Sequence, residues 1–190
     1  MPDYKSNIDE VVNKLNKQIS KKEMDVAKFM KRVAVNLHST IIKRVHQDGK
    51  GANLSRIGQY SSKSMLTGRT GFKTDAMANS FFSAKKEWRT IKTSGGKLRR
   101  LAVVRGGYKQ FRSLNGLLND KVNLEFTGDL RNDFTFKQPA KNKVTLGFIK
   151  RREFKKALAL ELKYGKTIWG VGALEKNVID KLSTEYIKFK

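Results

Sequence analysis

The sequence of 190 residues contains no cysteine and only two histidines. Without cysteine there is no disulfide, no thiolate metal ligand and no cysteine nucleophile. Acidic residues are scarce, since 17 Asp and Glu stand against 41 Lys and Arg, which gives a net charge of +24. No apolar run approaches the roughly 20 residues of a membrane-spanning helix, and the polar N-terminus lacks a secretory core. We therefore expect a protein that stays in the cytoplasm where it is made and has no membrane partner.

The basic excess extends over the whole chain and peaks in residues 51–100, which hold 11 basic and 2 acidic residues. Such a chain attracts polyanions over long range. Nucleic acid or an acidic protein is therefore the expected counter-surface. Aromatic residues lie among the cations at Trp88, Tyr108 and Phe111, and their spacing favours burial over stacking on exposed bases.

Apolar spacing predicts a long N-terminal helix. Ser20 and Glu23 form a capping box, in which two backbone N–H groups at the helix start are satisfied reciprocally. Gly49 stands where the C-terminal cap is expected. The apolar stripe of this helix consists of Val26, Met30, Val33, Leu37, Ile41 and Val45. Residues 1–20 are expected to precede it as an N-terminal arm, with its own helix start at Ser6.

Shorter elements follow, and together they predict an α+β fold. The expected strands, some joined by turns such as Thr93–Gly96, are 88–92, 97–105, 122–126, 134–136 and 144–148. The expected helices are 75–84, 108–118, 151–163 and one after Gly172. In the helix at 151–163, Phe154, Ala157, Leu158 and Leu162 are expected to face inward. The sequence thus predicts one domain over residues 1–190, with a long N-terminal helix, a small antiparallel sheet and C-terminal helices.

Residues 49–75 hold five glycines among Ser, Lys, Asn and Arg, with few apolar side chains. Such a segment predicts an extended, protruding basic loop, and loops of this length are usually functional. Within it, Gly68-Arg69-Thr70-Gly71 resembles the glycine-bracketed loop of KH domains, which lies between two helices. The loop's candidates for contact with DNA or with a partner protein are Lys50, Arg56, Lys63, Arg69 and Lys73.

The search for catalytic groups finds little. His38 and His46 are eight residues apart on one helix, about 12 Å along its axis, and cannot chelate one ion. Glu153-Phe154-Lys155 and Glu161-Leu162-Lys163 match half of the Asp…Glu-x-Lys pattern of metal-dependent nucleases, with Asp129 or Asp133 as the first carboxylate. With 8 Glu and 29 Lys in the chain, such matches arise by chance. Both also fall in a predicted helix, whereas that chemistry prefers strands.

One stretch resembles a known family. The run Gly107-Tyr108-Lys109-Gln110-Phe111-Arg112-Ser113-Leu114 precedes Asn123-Leu124-Glu125-Phe126-Thr127-Gly128-Asp129-Leu130. These runs resemble the "Gly-Tyr-Lys-x-aromatic-Arg-x-Leu" and "Asn-Leu-x-x-Thr-Gly-x-Leu" patterns of tailed-bacteriophage neck, head–tail connector and tail-completion proteins. Tyr60-Ser61 resembles a Tyr-Ser pair in the Gly-rich loop of that family. The positions that carry the resemblance are Tyr60, Tyr108, Leu124, Thr127, Gly128 and Leu130.

The resemblance implies a structural protein of the virion that assembles in the host cytoplasm. It implies a subunit of a homo-oligomeric ring that joins the portal or its adaptor to tail proteins, with double-stranded DNA in the channel. It implies no enzyme and no cofactor. The chain departs from the pattern in its high charge and in a second Thr-Gly pair at Thr67-Gly68. The resemblance therefore does not indicate in which layer of the neck the subunit lies.

Two other function classes stay open. A free nucleic-acid-binding protein, ribosome-associated or DNA-packaging, accounts for the charge as well. A metal-dependent nuclease is the remote third hypothesis.

Overall fold

The structure, a computed structural model, describes residues 12–13, 26–84 and 87–188, and these form the predicted α+β fold. In chain order the elements are α1 (Val26–Ile42), a π-helical turn (Lys43–Gln47), β1 (Met65–Thr67), a 3-10 turn (Arg69–Gly71), α2 (Asp75–Ser83), β2 (Trp88–Lys92), β3 (Leu98–Val104), α3 (Gly107–Leu114), α4 (Asp129–Asp133), β4 (Phe134–Ala140), β5 (Lys143–Phe148), α5 (Arg151–Tyr164) and α6 (Ala173–Lys188). No described helix is long and apolar enough to cross a bilayer.

The chain divides into two compact units. Unit 1 comprises the described residues up to Ile57 and from Asn123 onward, and unit 2 is the segment Gly58–Val122 that lies between them in the sequence. The prediction of one domain over residues 1–190 is not tested by this division and stays a prediction. The predicted arm, Ser6 and the capping box of Ser20 and Glu23 lie outside the described residues, apart from helical Val12 and Asn13.

The core of unit 1 lies between α1, α6 and the antiparallel pair β4–β5. The stripe predicted for α1 is buried there, because its apolar side chains recur every three to four residues and share one face. The buried residues of this core, from α1, β5 and α6, are Phe29, Met30, Val33, Ala34, Leu37, Val144, Ile179 and Leu182. In β4–β5, Phe134 pairs with Phe148 and Phe136 with Leu146, so alternate side chains share one face of this ribbon.

A buried ion pair ties the end of α1 to the start of α6. The Arg44 Nε donates to the Glu175 Oε1 at 2.7 Å, and the two side chains are 1% and 0% exposed. The Arg44 guanidinium also donates to three backbone carbonyls, those of Lys50, Ile168 and Gly170. The Glu175 Oε2 accepts from the backbone N–H of Gly172 at 2.8 Å. The pair is thus fully hydrogen-bonded, as a buried charge pair must be.

His46, in the π-helical turn, is a second buried polar group of unit 1. Its Nδ1 lies 2.9 Å from the Asn123 carbonyl oxygen. Because a carbonyl only accepts, Nδ1 carries the proton and Nε2 is an acceptor. Among the described residues, neither the His46 Nε2 nor the Trp169 Nε1 has a hydrogen-bond partner, and the two rings are 5.4 Å apart. Burial lowers the pKa of His46 to about 4, so this ring is neutral at pH 7.

Unit 2 contains a three-stranded antiparallel sheet in the order β1-β3-β2. β2 and β3 form the predicted hairpin, in which Lys92 pairs with Leu98 and Gly96 adopts a φ of 78° in the turn. Aromatic rings dominate the core of this unit, where Phe72 contacts Phe81 and Phe111, each at 5.2 Å between centroids. Beside them Ala102 and Val104 of β3 are buried.

Three predictions about strands, helix faces and loops are wrong. Residues 122–126 do not form a strand. The Asn123 side chain accepts from the Glu125 N–H, and such local bonding competes with strand pairing.

On α5, Leu158 and Leu162 do not face inward, being 42% and 76% exposed. The segment 49–75 is not a single extended loop, because it contains β1 and a 3-10 turn and buries Ile57 and Phe72.

The Arg44–Glu175 pair yields a stability prediction. We expect Glu175→Gln to lower the free energy of unfolding by about 3 kcal/mol, because it leaves the buried Arg44 cation without its counter-charge. The matched control is Glu185→Gln, which breaks the exposed pair with Arg32 and should cost under about 1 kcal/mol. Urea unfolding followed by circular dichroism measures both. Equal losses of unfolding free energy in the two variants would show that the buried pair contributes no more to stability than the exposed pair.

His46 yields a pH prediction. Its pKa is lowered from 6.5 to about 4 in the folded protein. Between these pH values the unfolded chain binds more protons than the folded protein. The contribution of neutral His46 to the free energy of unfolding is therefore fully present above pH 6.5 and is lost as the pH drops toward 4. We expect His46→Gln to flatten this part of the profile of unfolding free energy against pH. The control is His38→Gln, which removes a histidine of α1 whose ring also contacts a backbone oxygen. Parallel profiles for wild type and His46→Gln would contradict the assignment.

Candidate functional site

The five cations predicted to contact DNA or a partner are all exposed. Lys50 and Arg56 belong to unit 1, where they face each other across an isolated antiparallel bridge. Lys63, Arg69 and Lys73 belong to unit 2. These five exposed cations are therefore divided between the two units, and their contact with DNA or a partner stays a prediction.

Arg69 has local partners. Both of its terminal nitrogens donate to the Asn79 Oδ1, at 3.1 and 2.7 Å, and its guanidinium lies 5.6 Å from the centre of the Phe82 ring. The KH-like segment Gly68–Gly71 around it lies between strand β1 and helix α2. A KH loop lies between two helices, so that interpretation is wrong.

The family-like residues of unit 2 form one packed group. The Tyr60 and Tyr108 rings meet edge to face at 5.5 Å. The guanidinium of Arg112 lies over the Tyr60 ring at 4.3 Å, and its Nε donates to the Leu118 carbonyl at 2.7 Å. The Lys109 N–H donates to the Ser61 carbonyl at 2.9 Å. The Tyr-Ser pair and the Gly-Tyr-Lys run, more than 40 residues apart in the sequence, are therefore direct partners.

Gly107, the first residue of the run, is required by geometry. Its φ is 62°, a left-handed conformation that glycine adopts without strain. A Cβ atom here would lie 2.2 Å from the Lys63 carbonyl oxygen and 2.8 Å from that of Ser61. The backbone of 61–63 thus packs directly on this glycine.

The family-like residues of unit 1 form a turn that starts a helix. Leu124 has a φ of 52° and Gly128 a φ of 85°. The Thr127 hydroxyl donates to the Asp129 carboxylate at 2.7 Å, and Gly128 caps the short helix α4. On that helix Leu130 is buried. Each conspicuous residue of this stretch has a role in local structure.

The carboxylates of the nuclease hypothesis also have structural roles. Glu153 is buried and paired with Lys156 at 2.8 Å. The Glu161 Oε1 accepts from the N–H groups of Ile168 and Trp169, and the Asp133 Oδ2 accepts from the Lys150 N–H. Within the described ranges no three His, Asp or Glu side chains cluster as metal ligands would.

A further set of exposed cations lies on the β2–β3 hairpin, which sequence reasoning predicted as a hairpin but did not select as a site. Trp88 at its base is 39% exposed, although its spacing favoured burial, and the Arg100 guanidinium lies 4.8 Å from its ring centre. The signal was the coincidence of a predicted hairpin with the most basic quarter of the sequence. The exposed cations are Arg89, Lys92, Lys97, Arg99, Arg100 and Arg105.

Comparison with models of known families, with curated proteins and with solved structures yields no match to this chain.

The close approach at Gly107 yields a prediction. We expect Gly107→Ala to destabilise unit 2 by more than about 2 kcal/mol, because it adds left-handed strain and a backbone clash. Gly95→Ala is the control, since a Cβ at Gly95 meets nothing within 4 Å. Urea unfolding, followed by the fluorescence of the two tryptophans, compares the variants. A neutral effect of Gly107→Ala would show that the backbone of 61–63 does not pack there in solution.

Proposed function

We propose that this protein is a structural subunit of a tailed-phage particle, and that its copies form a ring at the neck, between portal and tail, through which DNA passes. The chain acts by assembling and carries out no chemistry. Its partners are further copies of itself, the neighbouring portal or adaptor and tail proteins, and the DNA of the channel.

The contact of Tyr60-Ser61 with Tyr108, Lys109 and Arg112 is the observation that carries the proposal. The resemblance to neck and tail-completion proteins rested on three separate pieces of sequence, two of which are Tyr60-Ser61 and the run that begins at Gly107. A chance resemblance gives no reason for these two pieces to pack on each other. Here one ring contact, one cation–π contact and one backbone hydrogen bond join them.

Exposed apolar side chains on unit 1 add support. Leu158 and Leu162, four residues apart, share one face of α5, and Ile149 just before this helix is 62% exposed. Single exposed apolar residues are ordinary, whereas contiguous exposed apolar surface marks a protein contact, and Leu158 with Leu162 offers a small surface of that kind. In a ring, every subunit contact repeats around the symmetry axis, so modest patches suffice.

The test is the assembly state of the purified full-length protein, by mass photometry and negative-stain imaging, alone and with portal and tail proteins of the same genome. We expect rings in at least one of these mixtures. Leu162→Glu should reduce the ring fraction severalfold, because it puts a charge in an apolar contact. The control Lys155→Glu changes an exposed residue of the same helix. A monomer under all conditions, with no association with virion proteins, would refute the proposal.

A free nucleic-acid-binding protein is the competing function, favoured by the exposed cations of the β2–β3 hairpin. The salt dependence of binding separates the two. A free binder holds nucleic acid as a monomer and loses affinity steeply with rising salt, whereas a ring subunit binds weakly until it has assembled.

A further inference from the structure

The β2–β3 hairpin extends beyond the third strand of its sheet. β1 pairs only with residues 102–104 of β3, whereas β2 pairs with residues 98–102. The outer part of the hairpin, residues 89–101, is therefore a two-stranded ribbon, called the ribbon below. Every residue of β2 except Ile91 is exposed, and so are residues 94–100 around the turn.

The pairing register shows that both faces of the ribbon carry cations. Residues opposite each other point to the same face. Thr90 faces Arg100 and Lys92 faces Leu98, so Lys92 and Arg100 share one face. Arg89 faces Leu101 and Ile91 faces Arg99, so Arg89 and Arg99 share the other.

The cations of the ribbon have little to neutralise them. Residues 88–105 contain six Lys and Arg and no Asp or Glu. Glu87, just before the ribbon, pairs with Arg89 and Arg105 at 3.4 and 3.3 Å, on the exposed surface where such pairs are weak. Lys92, Lys97, Arg99 and Arg100 make no ion pair with a described acidic residue under 4.0 Å.

Protection of an open sheet edge does not account for this charge. Edge strands carry charges that prevent pairing with other chains, and that role does not require like charges to lie near each other on one face. The ribbon instead places like charges diagonally on each face, which destabilises a two-stranded element that is only marginally stable by itself. An external polyanion removes that repulsion.

We propose that the ribbon binds the sugar–phosphate backbone of double-stranded DNA. The major groove of B-DNA, about 12 Å wide, admits a two-stranded ribbon. The deep, narrow major groove of an RNA duplex does not admit side chains. Residues 88–105 contain no Asn or Gln, which read adenine, and no Asp or Glu, which read cytosine. Arg and Lys can also read guanine, but closely spaced cations gain most of their affinity from phosphates. We therefore expect binding to depend little on DNA sequence.

The ribbon proposal names the element of the ring subunit that faces DNA in the channel. It rests on the proposed function, because that function supplies the channel in which the protein meets DNA. It replaces the segment 49–75 in that role. DNA binding and ring formation are separate measurements on the same preparations. Rings without DNA binding would overturn the ribbon proposal alone, and DNA binding without rings would overturn the ring alone.

The experiment compares two triple variants of the full-length chain. The ribbon variant is Lys92→Gln with Arg99→Gln and Arg100→Gln. The control is Lys137→Gln with Lys141→Gln and Lys143→Gln, which removes the same charge from exposed positions of the β4–β5 hairpin. Fluorescence anisotropy measures the affinity for two 30-bp DNA duplexes of unrelated sequence, from 50 to 200 mM salt. Thermal unfolding confirms that both variants are folded.

We expect the ribbon variant to lose affinity on the order of tenfold or more at low salt, and its salt slope to fall by about 2 to 3, because each lost phosphate contact removes about 0.9 from the slope. The salt slope of the control should differ from that of the wild type by no more than about 0.9, the contribution of one phosphate contact. The two DNA sequences should bind alike. Equal losses in both triples would assign binding to diffuse charge and overturn the proposal. Absent DNA binding by the assembled protein, or tighter binding to an RNA duplex of matching sequence, would also overturn it.

Discussion

The buried Arg44–Glu175 pair is the constraint on which the rest of unit 1 depends. It joins the end of α1, the chain near Lys50, the loop at 168–170 and the start of α6. Gly172 beside it lies so close to Ala52 that a Cβ would fall 1.8 Å from the Ala52 carbonyl oxygen. Four chain segments therefore have to be placed correctly at once. A cavity or an unpaired charge at this point would cost more than the loss of any surface contact.

Buried carboxylates such as Glu175 also bear on the charge of the protein surface. The protein has only 17 acidic residues, and several of them are used inside unit 1. Glu175 and Glu153 are buried, and the buried Asp133 holds the Lys150 N–H. Two arginines, Arg44 and Arg112, are buried as well, so the buried charges of the described residues almost balance and the surface carries nearly the whole net charge of +24.

Much of this fold was predictable from the sequence, and the failures have physical causes. The stripe of α1 and the hairpin at Thr93–Gly96 follow from local periodicity and turn chemistry, which a single sequence carries. The burial of Arg44, Arg112 and Glu175 was not predictable, because a charge becomes tolerable inside only when tertiary structure supplies its partner. For Leu162 the periodicity of α5 was correct, but it identifies an apolar face and not what covers it.

The two units differ in what they expose at the surface. Unit 1 exposes Leu158 and Leu162 and holds its own structure through a buried ion pair. Unit 2, with 14 basic against 3 acidic residues in 65 positions, is the more densely charged. Its ribbon is held at the base by Ala102 and Val104 and by the packing of Phe82 on Trp88. Because these residues at the base hold the hairpin in place, its stability does not depend on the cations at the tip. A surface that contributes little to stability is free to be selected for binding, and closely spaced cations suit the phosphate backbone that we propose as their partner.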